Sequence, residues 1–201
     1  MALFPAFLKL AGRRCLVVGA GRVAEEKIEG LLHARAEVCV VAPVATRRIR
    51  TWARAGKIRW EVRPFRSSDL LGVFLTVAAT SSPRLHAQIY KQAKRRGALC
   101  NVVDDPEHCD FYYGAIVRRG SLQIAISTGG LSPALAQRIR KQLEQQFGSE
   151  YKDWLEKIGA TRRRLLAKPI SAGRQKALLH ALASETSLAQ FRRSGKGKRK
   201  R

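Results

Sequence analysis

The sequence predicts an α/β fold, a parallel sheet covered on both faces by helices, followed by a small antiparallel region and a helical C-terminal part. Three observations predict it. Short apolar runs alternate with amphipathic segments from Arg14 to Val103. A glycine-rich turn, Gly19-Ala-Gly21, joins the first run to the first amphipathic segment. Beyond Tyr112 the alternation gives way to two closely spaced strand-like runs and then to helical composition. The 201 residues are enough to bury a substantial core, as one large domain or two small ones.

Each element has its own signal. Arg14-Cys-Leu-Val-Val-Gly is apolar throughout and reads as a buried strand. From Val23 to His33, Ala24, Ile28, Leu31 and Leu32 share one stripe, which predicts an amphipathic helix packed on a sheet. Glu37-Val-Cys-Val-Val-Ala-Pro is a second strand, stopped by Pro43; Arg47 to Ala55 is helical. The alternation of Ile58, Trp60 and Val62 predicts a strand over 57–65. Val73 to Thr80 is another apolar strand, Pro83 opens a helix to about Arg96, and Ala98 to Val103 is the next strand. Strands alternating with helices in this way imply βαβ units and a parallel sheet.

The later chain differs. Tyr112–Val117 and Ser121–Ser127, joined by Arg118-Arg-Gly, predict an antiparallel hairpin. Ser132-Pro133 starts a helix whose Leu135, Ile139, Leu143 and Phe147 make an apolar face that needs cover. Helices follow to about Phe191, with Trp154, Leu155, Leu165, Leu166, Leu178, Leu179 and Leu182 as expected anchors. The chain is expected to divide into 1–113, 114–150, 151–191 and a disordered tail, 192–201, with composition setting the boundary near residue 150.

Charge is the second signal. The chain holds 39 Lys+Arg against 15 Asp+Glu, a formal +24. Residues 151–201 carry 15 of those cations and 3 acids, and the tail alone has seven cations and no acid. A solvated tail explains that run, and non-specific phosphate contact is the alternative. The remaining 150 residues still carry a net +12, a field that draws anionic ligands to a cleft. No uncharged apolar run reaches the roughly 20 residues that span a bilayer. The apolar start contains Pro5 and meets Lys9, Arg13 and Arg14 after it, the reverse of a signal peptide. Four cysteines without Cys-x-x-Cys give neither a disulfide framework nor a zinc ribbon, so a cytoplasmic protein is expected. Cys15, Cys39 and Cys100 read as core fillers. Trp52, Trp60 and Trp154 read as packing residues, and His33, His86 and His180 carry no usable pattern.

Gly19-Ala-Gly21-Arg-Val-Ala24 follows a strand and opens a helix, the G-x-G-x-x-A arrangement of a Rossmann-type dinucleotide site. Gly19 permits the tight turn, Gly21 lets backbone approach a pyrophosphate, and Ala24 allows close helix–strand packing. Arg22 either lies over the phosphates or is solvated. The second strand ends Val41-Ala-Pro43-Val44 without the usual ribose-binding acid, and Arg47 and Arg48 follow. Those arginines suit either a 2′-phosphate or an exposed helix face. At the end of the fifth strand, Asn101-Val-Val-Asp104-Asp105-Pro106 places carboxylates on the sheet edge where ligands sit. Asp104 there is a proton acceptor or orienting group, or else part of a turn. His108-Cys109 supplies good transition-metal ligands, but two neighbours and one carboxylate make no site.

These pieces resemble the precorrin-2 dehydrogenase family, the dehydrogenase/ferrochelatase module of sirohaem synthase. The matching stretches are Phe4-Pro5 with Leu8, Cys15 to Ala24 with Lys27, Ala78-Ala-Thr80, Cys100-Asn-Val-Val-Asp-Asp-Pro, and Ile124 to Ala136. They cover about residues 1–150; the last third matches only in its helical, basic character. The resemblance implies NAD-dependent oxidation of precorrin-2 to sirohydrochlorin, a homodimer built through 114–150, and in some members metal insertion. It places cofactor contacts on Gly21, Arg22, Val23, Pro43 and Val44 beside Gly19, and catalysis on Asp104. The substrate side is expected at Asn101, Ser127, Thr128, Gly129, Gly130 and Ser132, with Ser127 to Gly130 forming either a hydroxyl and N–H cradle before the Ser132-Pro133 helix or a plain strand-to-helix loop. The family uses NAD although it lacks the ribose acid. Arg118, Arg119 and Arg138 are candidate forks for the polycarboxylate substrate. Residues 151–201 are too few for the methyltransferase half that some relatives carry. A nucleic-acid-binding protein or an NAD-sensing domain on the same scaffold are the competing functions; the first leaves Gly19-Ala-Gly21 and Asp104 unexplained.

Overall fold

The computed structural model describes residues 3–198. They form two compact units, Phe4–Tyr113 and the chain from Gly114 onward. In the first, β1 (Arg14–Val18), β2 (Glu37–Val41), β3 (Arg59–Glu61), β4 (Leu75–Ala78) and β5 (Leu99–Val102) make one parallel sheet in the order β3-β2-β1-β4-β5. Three helices cover it: α1 (Arg22–His33), α2 (Arg47–Arg54) and α3 (Pro83–Arg95).

The continuous apolar runs follow from burial on both faces. In β1, Cys15 and Val17 pack with Ile28 and Leu31 of α1 and Ile49 of α2, while Leu16 and Val18 pack with Ile89 and Ala93 of α3. Burial pushes the Cys15 and Cys100 thiols up to about 11 and about 12, so both are inert fillers. Cys39 is half-buried. The strand order reverses between β1 and β4, and the crevice this opens at their C-terminal ends is where such sheets take ligands.

The edge strand is shorter than the sequence predicts. Only Arg59–Glu61 pair with β2, and Val62 is exposed. Arg63 turns the chain out of the ladder: its amide donates to Glu61 O at 2.9 Å, and its guanidinium grips Asp69 through bonds of 2.7 and 2.9 Å. Burial alone would raise the Asp69 carboxyl, but the Arg63 fork and the Arg66 amide hold it below its ordinary value. A depressed carboxyl favours the folded state above the unfolded carboxyl's pKa of about 4 and loses that contribution as pH falls further. Asp69→Asn is therefore expected to lower the melting temperature at neutral pH, with the gap to the parent closing below about pH 4; melting curves from pH 3 to 7 check it.

In the second unit, β6 (Ala115–Arg119) and β7 (Leu122–Ile126) pair antiparallel around Gly120-Ser121. Helix α4 (Pro133–Gln146) begins where Ser132 Oγ accepts from Leu135 N at 3.2 Å and packs on the hairpin. Its C-terminus is closed by Arg119, whose Nε donates to Phe147 O at 2.7 Å and Nη2 to Glu144 O at 3.0 Å. Helices α5 (Glu150–Leu166), α6 (Ala172–Leu182) and α7 (Glu185–Lys198) follow. Of the expected anchors, Trp154, Leu155, Leu165, Leu179 and Leu182 are half-buried, Leu166 and Leu178 are 49% and 40% exposed, and Leu188 of α7 is buried.

Helix α7 takes in residues 192–198 of the basic stretch expected to be a disordered tail. The buried Leu188 and the Arg192–Glu150 ion pair at 2.6 Å hold this helix in place. Residues 199–201 of the expected tail lie outside the described residues.

Candidate functional site

The turn after β1 is glycine by necessity at one position and by opportunity at another. Gly19 has φ +101°, and a Cβ there would lie 2.1 Å from Ala79 O. The turn is stitched to both neighbouring strands: Gly19 N donates to Val41 O at 3.0 Å, and Ala79 N donates to Val18 O at 2.8 Å. Gly21 is the N-cap of α1, in extended conformation, and a Cβ there would meet nothing within 4 Å. No side chain caps α1, whereas Thr46 caps α2 and Ser82 caps α3. The first N–H groups of α1 therefore face open space with the helix dipole behind them, a cradle for a diphosphate. Ala24 is fully buried beneath the turn, and Arg22 and Val23 are exposed at its edge. These residues fit a dinucleotide.

Pro43 and Val44 stand exposed at the end of β2, with no carboxylate on the strand's last residues. A cleft of about 800 Å³ opens between α1 and α2, and Arg22, Glu25, Glu26, Arg47, Arg48 and Trp52 are among its lining residues. Arg48 is already engaged, at 2.6 Å from Glu29 and over the Trp52 ring at 4.7 Å. On the other side of the crevice, buried His86 donates from Nε2 to Thr80 O at 2.8 Å and so fixes the chain leaving β4. That role is not legible in the sequence, because a histidine within a helix shows no pattern until its carbonyl partner is placed.

Asp104 lies just past β5, exposed, with φ +60°. Aspartate tolerates this left-handed conformation better than most residues. Asp105 differs from it: its carboxylate holds His108 Nδ1 at 2.7 Å. Cys109 Sγ donates toward Val102 O and Asp105 O, both at 3.2 Å, and burial raises its thiol. Neither partner of the His108-Cys109 pair is therefore free, and no cluster of three or more His, Cys, Asp or Glu able to hold a metal occurs among the described residues.

Asn101 is placed differently from the expected substrate contact. It is buried, and its Nδ2 donates to Phe111 O at 2.9 Å and Cys109 Sγ at 3.3 Å, tying residues 109–111 to β5. In the second unit the expected cradle is closed on itself. Thr128 Oγ1 accepts from Ser132 N at 3.2 Å and donates to Ser132 O at 3.1 Å, Ser127 Oγ accepts from Gly129 N, and Ser132 Oγ caps α4. Gly129 and Gly130, at φ +62° and +83°, have open space around them. Of the three candidate forks, Arg119 serves as the cap of α4, Arg138 is exposed, and the buried Nε of Arg118 has no partner.

Comparisons with known proteins agree with this geometry. The family described as "Putative NAD(P)-binding" matches residues 6–115, and "Sirohaem biosynthesis protein central" matches 119–146. The "Siroheme synthase" of Nitrosococcus oceani is 40% identical over 151 residues, covering 75% of this chain and 32% of that protein. "Siroheme synthase 1" of Aeromonas salmonicida is 35% identical over 190 residues, covering 94% and 41%. The chain thus spans about a third of the length of these curated relatives. The solved structure "SirC, precorrin-2 dehydrogenase" superimposes with a TM-score of 0.78 at 29% identity, covering 96% of this chain and 98% of that one. No helix among the described residues is long and apolar enough to cross a membrane.

Proposed function

Since the chain belongs to the NAD(P)-binding family that its residues 6–115 match, we propose that it is an NAD-dependent dehydrogenase of sirohaem biosynthesis, converting precorrin-2 to sirohydrochlorin. The observation that carries this is the likeness over almost the whole of both chains to a structure titled precorrin-2 dehydrogenase, with the open glycine turn and Asp104 both at the sheet's C-terminal rim. A nicotinamide, when bound, supplies the acceptor for the hydride that leaves the macrocycle. The other product of the oxidation is a proton, and the exposed Asp104 carboxylate is assigned to take it or to hold the carbon that loses it.

Gly19, Gly21, Arg22 and Val23 are assigned to the diphosphate, and Pro43 and Val44 to the adenosine end. Asn101 enters as a positioning residue for the segment after β5. Ser127, Thr128, Gly129, Gly130 and Ser132 remain assigned to the substrate, with the Gly130 N–H and the open space at the two glycines doing the binding, since the hydroxyls and the Gly129 N–H are engaged. The surplus of cations favours a polycarboxylate. A homodimer and a cytoplasmic location complete the proposal. The half-covered apolar face of α4 supports the first, and four free thiols suit the reducing compartment of the second.

Purified protein mixed with precorrin-2 and NAD is expected to give NADH, read as absorbance at the dihydronicotinamide band, in step with sirohydrochlorin. Cofactor binding without any turnover of the tetrapyrrole would replace the dehydrogenase with a sensing domain.

A further inference from the structure

The end of β2 offers no carboxylate to recognise the adenine ribose, so selection between dinucleotides with and without a 2′-phosphate must come from elsewhere in the cleft. We propose that Glu29 is the specificity-determining residue: it withholds Arg48 from the ribose end of the cleft and thereby disfavours a 2′-phosphate. The proposal rests on the dinucleotide reading of the glycine turn and goes beyond it by assigning the choice of dinucleotide to one ion pair.

Arg48 sits at the second position of α2, next to the loop that leaves β2, where an arginine usually takes a 2′-phosphate. Its guanidinium instead has two partners, the Glu29 carboxylate at 2.6 Å and the Trp52 ring at 4.7 Å. Both partners lie further along their helices than the rim. Trp52 is one turn down α2, and Glu29 is about 10 Å along α1 from Arg22, taking 1.5 Å per residue. Since α1 and α2 both begin at the C-terminal ends of strands, the pair draws the guanidinium away from the edge that meets the ligand.

Charge in the rest of the cleft is balanced. With Arg48 neutralised by Glu29, the remaining Arg22 and Arg47 face Glu25 and Glu26. Such a lining has no net attraction for an extra phosphate dianion, while ribose hydroxyls, being uncharged, lose nothing by it. Without the Glu29 carboxylate, Arg48 keeps only the ring contact and becomes a free fork for phosphate. The two side chains of the pair are 47% and 43% exposed, so breaking it perturbs the fold little.

The test is the affinity of the full chain for NAD and for NADP, by calorimetry or tryptophan quenching, in the parent, in Glu29→Gln and in Glu29→Gln/Arg48→Gln. The parent is expected to favour NAD. Glu29→Gln is expected to bind NADP about tenfold more tightly than the parent does, with NAD affinity unmoved, because a charge-assisted bond is gained. The double variant is expected to lose that gain. A parent that prefers NADP, an unchanged NADP:NAD ratio in Glu29→Gln, or a gain that survives in the double variant each overturns the assignment. A parent that binds neither dinucleotide overturns the cofactor reading beneath it, so the two failures are told apart by the parent alone.

Discussion

Replacing Asp104 with asparagine is expected to lower kcat for precorrin-2 oxidation by roughly a hundredfold or more, the usual contribution of a positioned acid–base group. The melting temperature and the affinity for NAD should stay at the parent's values. The choice of asparagine follows from the backbone. Asp104 has φ +60°, which asparagine also adopts readily. An alanine there would add about 1–2 kcal/mol of backbone strain and confuse lost chemistry with a moved loop. Asp104→Gly supplies the control, since it keeps the conformation and removes the carboxyl. Asp105 is no substitute, because its carboxylate is held by His108 at 2.7 Å. A loss confined to kcat, with cofactor affinity intact, marks a group acting in the transition state. Normal turnover by Asp104→Asn would remove Asp104 from the reaction.

What the sequence disclosed and what it hid divide along one physical line. Features fixed by neighbours in sequence were legible: the apolar run of β1, the stripe Ala24, Ile28 and Leu31 of α1, the Ser132-Pro133 helix start and the glycine turn. Features fixed by distant partners were not. Arg119 had the chemistry of a carboxylate fork, and its use as the cap of α4 depends on carbonyls 25 and 28 residues away. Asn101 was expected to be a ligand contact, yet it is buried in β5, where its Nδ2 donates to Phe111 O ten residues on. Thr128 and Ser132 are near in sequence, but only the folded loop shows their hydroxyl and amide groups satisfying one another. The grip of Arg63 on Asp69 cut β3 short, a competition that periodicity does not register. Within the glycine motif each small residue has its own duty in the sequence reading, and the structure gives that separation its distances.

That separation gives the second large effect. Gly19→Ala is expected to damage folding and binding together. Its Cβ would fall 2.1 Å from Ala79 O, a backbone atom that cannot retreat. Ala79 N is bonded to Val18 O at 2.8 Å, and the next carbonyl, Thr80 O, is held by buried His86. The turn also has φ +101°, which alanine resists. A clash of this kind belongs with the severe single substitutions, so the melting temperature should fall by roughly 10 °C or more. Gly21→Ala should behave differently. Its backbone is extended with φ −84°, and the added methyl meets no protein atom within 4 Å. Stability should therefore stay near the parent's. The methyl does, however, enter the space in front of the uncapped N–H groups of α1, where a diphosphate must come close. NAD affinity should drop by about tenfold or more, in a protein that melts like the parent. Measured side by side, melting and dinucleotide titration distinguish a glycine kept for the fold from one kept for the ligand. If Gly21→Ala bound NAD as the parent does, the diphosphate would not rest on this turn, and the site assigned to it, with the rim carboxylate beyond, would have to be sought elsewhere on the sheet.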